Sequence, residues 1–472
     1  GTRDGCLSPA STPFSLVLLG LPVNDDAVIP VVGTARGFGG SLFRTTVHLV
    51  NATEDVMEGE ITFIDAQLPK YVYRLEPGET RFIDDLLPQT FEGVTSANVR
   101  RLRGPLPVVV AHVFNDGGPL GTSGLIERAI PLGDTLRAGD RAVLVTPLDP
   151  VTTRFNVGLR SLTDGMTVRI TRRNSAGLIL GTIERVLPPS TLIHATVANV
   201  LGAEVGSNES LTFEIVAGRG VIYGAATDNG TNDPNMQIAS KLSIAAGTGR
   251  YILPIAGAVQ GAFNSRFATG LQLHNPADAP ITATLTFHPA GRSASANDPQ
   301  LALTIPAHAT AGMDDVVSAM GAADFGSLDV AVSGAMRPVL LARIYSIAEI
   351  GQTSLMTELV PEEEALVTGE SAAIAAPHNP AAMRFNIGIR SLSQGVRLTA
   401  TVRNADGDVL RVVPLSYGPS YFTQTAAPQL LGTPFNGDES VTFTVDEGSA
   451  VIYGVWTDNV TQDPAMQYAV RP

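Results

Sequence analysis

The stretch Arg154-Phe155-Asn156-Val157-Gly158-Leu159-Arg160-Ser161-Leu162 returns 230 residues later as Arg384-Phe385-Asn386-Ile387-Gly388-Ile389-Arg390-Ser391-Leu392. The same offset carries Thr227-Asp228-Asn229 onto Thr457-Asp458-Asn459 and Asp233-Pro234 onto Asp463-Pro464. Roughly a third of the positions between 150 and 240 are identical across it, which marks a chain built from copies of one unit. A second, weaker likeness divides the period. Val28-Ile29-Pro30-Val31-Val32-Gly33 resembles Ile252-Leu253-Pro254-Ile255-Ala256-Gly257, and Val108-Val109-Val110-Ala111 resembles Val339-Leu340-Leu341-Ala342. The chain therefore reads A1-B1-A2-B2, with A1 at 27–140, B1 at 141–245, A2 at 246–370 and B2 at 371–472.

Inside the units the side-chain period is two. Val396, Leu398, Ala400 and Val402 alternate with Arg397, Thr399, Thr401 and Arg403, and Leu211, Phe213 and Ile215 alternate with Thr212 and Glu214. Alternation of this kind gives strands with one buried and one wet face. Turn residues punctuate them at Asn174-Ser175-Ala176-Gly177, Asn404-Ala405-Asp406-Gly407 and Leu187-Pro188-Pro189. Short strands in units near 100 residues predict an all-β protein of four tandem Ig-like antiparallel sandwiches. Only Asp84–Leu87 and Asp314–Ala319 read as single helical turns. The junctions at 132–140 and 366–370 are short. Four units joined end to end form either a rod on the order of 150 Å, from strands of about 20 Å plus loops, or a compact cluster.

Residues 1–26 lie outside the repeat yet are not polar. Phe14, Leu16, Val17, Leu18, Leu19, Leu21 and Val23 sit between Pro13 and Pro22 and are apolar on both faces between Leu16 and Leu19. Such a strand needs burial on both sides. It is expected to dock in its own sandwich or in a neighbouring copy as a donated strand. The run is about half the length that spans a bilayer, and no basic segment precedes it, so membrane insertion is not expected.

A net charge of −14 leaves no basic face for nucleic acid or anionic lipid. Cys6 is the single cysteine, so no internal disulfide forms. The seven histidines have no metal-ligand spacing, and neither a G-x-S-x-G elbow nor a P-loop is present. Enzymatic activity is accordingly not expected. Asp228, Asn229 and Asp233, with Asp458, Asn459 and Asp463 in the second copy, place several hard oxygen donors in one loop, and Ca2+ is a candidate ligand there. The bland reading of each loop is a hairpin connection shaped by Asx-turns and an Asp-Pro corner. Arg154, Arg160, Arg384 and Arg390 flank the apolar strand positions and are expected to be solvated and paired with carboxylates. One tryptophan, Trp456, argues against an aromatic sugar platform. Sequons stand at Asn51, Asn208, Asn229 and Asn459, surface glycan sites if the chain is exported.

The phrases Phe43-Arg44-Thr45 and Arg154-Phe155-Asn156 before an alternating strand, the turn Leu75-Glu76-Pro77-Gly78, and the closing Tyr-Gly-x-x-Thr-Asp-Asn-x-Thr-x-Asp-Pro hairpin form a recognisable set. Together they resemble tandem Ig-like repeats in poorly characterised exported proteins of environmental bacteria. The resemblance covers residues 27–472 and implies a sandwich fold in an extracellular setting, with no catalytic or ligand residues carried over. The expectation is a secreted or surface-exposed structural protein, a fibre subunit self-associating head to tail through its tail strand. The alternative is a monomeric adhesin that binds glycan or a host surface.

Overall fold

The computed structural model describes residues 26–244, 248–261, 265–348 and 351–472. The tail positions Phe14, Leu16, Val17, Leu18, Leu19, Leu21 and Val23, and Cys6, lie outside the described residues. The regular structure is almost wholly antiparallel strand, arranged in several open sheets that pair within four consecutive stretches of chain, 27–131, 136–241, 248–361 and 366–468.

In the first stretch, Ala27–Arg36 pairs with Gly93–Arg103, which in turn pairs with Met57–Phe63. Facing this layer, Leu42–Val50 pairs with Val108–Asp116, and that strand with Thr122–Arg128. Alternate residues of the two layers, among them Ile29, Val32, Leu49, Ile61, Val99 and Ala111, close a core in which each is fully buried. The third stretch repeats the plan. Thr248–Gly257 pairs with Phe325–Ser333, and Arg266–His274 with Val339–Ala348, which carries Gly351–Glu358 at its far side.

The second and fourth stretches use two long strands instead. Thr153–Arg173 runs against Ser210–Asp228, and Met383–Arg403 against Ser440–Asp458. Both pairs break register midway, between Ser161 and Met166 and between Ser391 and Val396. There each strand bends, so one strand serves both layers. Glycine permits the bend: Gly218 has φ +75°, and a Cβ on it would stand 2.1 Å from the Gly165 carbonyl. Gly448 faces Gly395 in the same way.

The expected turns form at Asn174 and Asn404, whose side chains accept from the Leu178 and Asp408 amides. Asp315 caps a short helix, Val316–Ala319, by accepting from the Ser318 amide. At 84–87 no helix forms, because Pro88 follows at once and Leu86 and Leu87 are drawn into the core. Two short helices, Val197–Leu201 and Ala427–Leu431, were not legible in the side-chain pattern.

Each stretch touches two others, so the four close on themselves rather than extend into a rod. Val28 and Ile130 pack on Leu162 and Val221, Val143 and Val145 on Val339, and Ile252 on Leu392 and Val451. Val50, Val108 and Val110 then join the core of the last stretch. The turn at Glu76–Glu79 docks on the 404–407 turn through the Thr80 amide and the Ala405 carbonyl, and Thr310 with Ser175 repeats the contact in the other half.

Candidate functional site

The two Asp-Pro loops lie where this closed arrangement is fastened. Asp228 Oδ1 accepts from the Gly230 and Thr231 amides, an Asx-turn, and Asp458 does the same with Val460 and Thr461. Asn229 and Asn459 donate to the Val151 and Ala381 carbonyls. Asp233 and Asp463 turn away from their own loops. Asp233 Oδ2 accepts from the Ser354 amide at 2.8 Å, from the Ser354 hydroxyl at 3.1 Å and from Asn235 Nδ2 at 3.0 Å. Asp463 Oδ2 accepts from the Gly124 amide at 2.6 Å. Each loop therefore grips the outer strand of a stretch distant in sequence. Thr231 donates to the Gln352 carbonyl and Thr461 to that of Thr122. Among the described residues, no group of three or more His, Cys, Asp or Glu side chains is placed to hold a metal ion.

Asp233 and Asp463 are buried, and Oδ1 of each lacks a hydrogen-bond partner among the described residues. Burial pushes the Asp233 carboxyl up to about 7, against the pull of the Arg343 guanidinium and of the bonds from Ser354 and Asn235. Burial likewise raises Asp463 well above the carboxylate range, and the nearby Asp233 charge adds to it. Glu127, buried on the strand Thr122–Arg128, is raised by burial too. Uncharged carboxyls are what such an interior tolerates.

The arginine expectation needs correcting. Arg160 and Arg390 are buried, not solvated, because their strands face a neighbouring stretch at these points. Arg390 Nη2 donates to both Asp329 oxygens at 2.7 and 2.8 Å, and Nε donates to the Ser327 hydroxyl. Arg160 meets Asn98 Oδ1 instead of a carboxylate, and burial lowers its guanidinium to about 10. Arg154 and Arg384 are half-buried and brace the loops through Asn232 and Gln462.

Histidines scattered along the chain converge where the first and last stretches meet. His48 and His112 flank the Trp456 ring at 5.4 and 5.7 Å, and Phe82 stacks on His378 at 3.9 Å. His48 Nε2 and His378 Nδ1 share the Asp438 carboxylate. Burial drives His112 down to about 3 and lowers His48 as well. Among the described residues, neither His48 nor His378 bonds a hydroxyl or thiol side chain.

The pseudo-equivalent interface, between the second and third stretches, carries different residues at the same five positions. Strand register places Gln272 where His48 stands, Gly312 for Phe82 and Arg343 for His112. Leu148 replaces His378, and Ala226 replaces Trp456. The rings are gone, and a cavity of about 300 Å³ takes their place. Its difference from the filled interface becomes visible in the sequence only when the two halves are read position by position.

No protein-family model and no curated protein matches the chain. No helix among the described residues is long and apolar enough to cross a membrane.

Proposed function

We propose that this chain is an extracellular, non-catalytic structural protein of four Ig-like sandwiches, related in kind to the tandem repeats of bacterial surface proteins. Copies of it join when the apolar segment Phe14–Val23 of one adds as a strand to another. The observation that carries this reading is an open sheet edge. Among the described residues, Ile179–Leu187 pairs only with Thr153–Arg173, and Leu178, Ile179, Leu180 and Val186 along it are exposed by half or more. The matching strand Val409–Tyr417 exposes Val409, Leu410 and Val412. The edge Ile179–Leu187, apolar and with neither proline nor lysine, is a template for strand addition, whereas Pro414 interrupts the matching edge. A strand apolar on both faces is the occupant that such an edge suits. A head-to-tail contact of this kind does not close, and it grows a filament.

Light scattering and negative-stain electron microscopy on the full chain, on a chain lacking residues 1–25, and on Leu180→Lys test it. Filaments or long oligomers from the full chain, lost in the other two, support the reading. Monomers throughout would sink it and leave a monomeric surface adhesin in its place.

A further inference from the structure

We infer that the cavity between the second and third stretches binds one neutral, hydroxyl-rich molecule of monosaccharide size. This inference is independent of whether the tail polymerises the chain.

The first argument is the contrast between two halves of one repeat. Where the first and last stretches meet, Trp456 and its neighbouring rings fill the space, and Trp456 Nε1 donates to the Ala375 carbonyl at 3.1 Å. In the matching place Ala226 contributes a single methyl group. Protein interiors are close-packed, so a gap that the same fold fills elsewhere is a feature of this interface. At about 300 Å³ it has room for about ten waters at their liquid volume. That matches the lower end of ligand-pocket sizes and suits a six-membered ring with its hydroxyls.

The second argument is the polar atoms it holds out. Asn235 lines the cavity, is 3% exposed, and spends its Nδ2 on Asp233 and on the Ser354 hydroxyl. Its counterpart in the filled half is Ala465. Asp228 also lines it, with Oδ1 committed to the loop and no described residue donating to Oδ2. In the filled half, Oδ2 of the equivalent Asp458 takes the Thr122 amide and hydroxyl. Arg343 spends Nε on Ser354 and Nη1 on Gln352, leaving Nη2 to the cavity.

Charge then selects the class. Arg343 and Asp228 offset each other on the wall, Asp149 is held by the Val151 amide and the Thr152 hydroxyl, and the exposed Asp314 disfavours an anion. What this leaves is a neutral molecule carrying donors and acceptors together. A sugar ring offers vicinal hydroxyls to the planar Arg343 and Asp228 groups and an apolar face to Leu148 and Met356.

The probe is saturation-transfer NMR with D-glucose, D-galactose, D-mannose, L-fucose and N-acetyl-D-glucosamine, alongside inorganic phosphate and putrescine. At least one sugar should bind, with a dissociation constant on the order of 1 mM or tighter. Ala226→Trp, which restores the filling residue of the other half, should weaken binding by about tenfold or more. Arg343→Met should do the same by removing the guanidinium from the cavity wall, and it decides alone if the tryptophan variant does not fold. Silence from all five sugars, tighter binding of phosphate or putrescine, or unchanged binding in a folded variant overturns the inference.

Discussion

Replacing Asp233 by asparagine should stabilise the protein at neutral pH and leave it nearly unchanged in acid. The Asp233 carboxyl is fully buried, and its folded-state value is raised from 3.8 to about 7. A group raised on folding contributes stability that is complete below its unfolded value and is lost as pH rises through the folded one. Here the loss runs from about pH 4 to pH 7. At about 1.4 kcal/mol per pH unit it totals about 4 kcal/mol, of which about 3 kcal/mol falls between pH 5 and pH 8. Asparagine keeps an oxygen for the Ser354 amide, the Ser354 hydroxyl and Asn235. Its amide group takes the side where Asp233 Oδ1 now has no partner. It also removes the charge that helps to raise Asp463. Urea unfolding followed by Trp456 fluorescence reports directly, since this tryptophan sits at the junction of the first and last stretches. Glu127 and Asp463 change with pH in the same sense as Asp233, and the buried His48 and His112 oppose them in acid. The quantity to read is therefore the variant minus the wild type at each pH. That difference should be near zero at pH 4 and grow by about 3 kcal/mol from pH 5 to pH 8. Equal slopes in both proteins, or a variant less stable at pH 8, would refute the claim that a buried, largely uncharged Asp233 fastens this interface.

Trp456→Ala should cost about 3–5 kcal/mol, the range for emptying a buried aromatic site, read as a lower melting temperature by circular dichroism. Gly448→Ala should cost more than about 2 kcal/mol, because φ is +84° and the new Cβ would stand 2.1 Å from the Gly395 carbonyl. Gly202→Ala, at φ +76° but with nothing within 4 Å, should lose only about 1 kcal/mol of stability. Equal losses at the two glycines in urea melts would mean that the close approach of the bent strands is unimportant.

The sequence by itself determined the strands, the turns and the repeat. Val396, Leu398, Ala400 and Val402 are buried as their alternation requires, and Asn174 and Asn404 make the turns their side chains favour. These features are local, set by side-chain period and by hydrogen bonds a few residues long. The Asx-turns of the Asp-Pro loops are legible for the same reason. Where Asp233 and Asp463 point is not. Asp233 reaches Ser354 and Asp463 reaches Gly124, each more than a hundred residues away, and no local pattern encodes a contact that depends on four stretches closing together. Tertiary structure likewise buried Arg160 and Arg390, which the strand period alone places on a wet face, because a second sheet covers that face. It also gathered His48, His112 and His378 around Trp456. The repeat supplied two equivalent interfaces; packing decided that one is filled by rings and the other left open around Arg343 and Asn235.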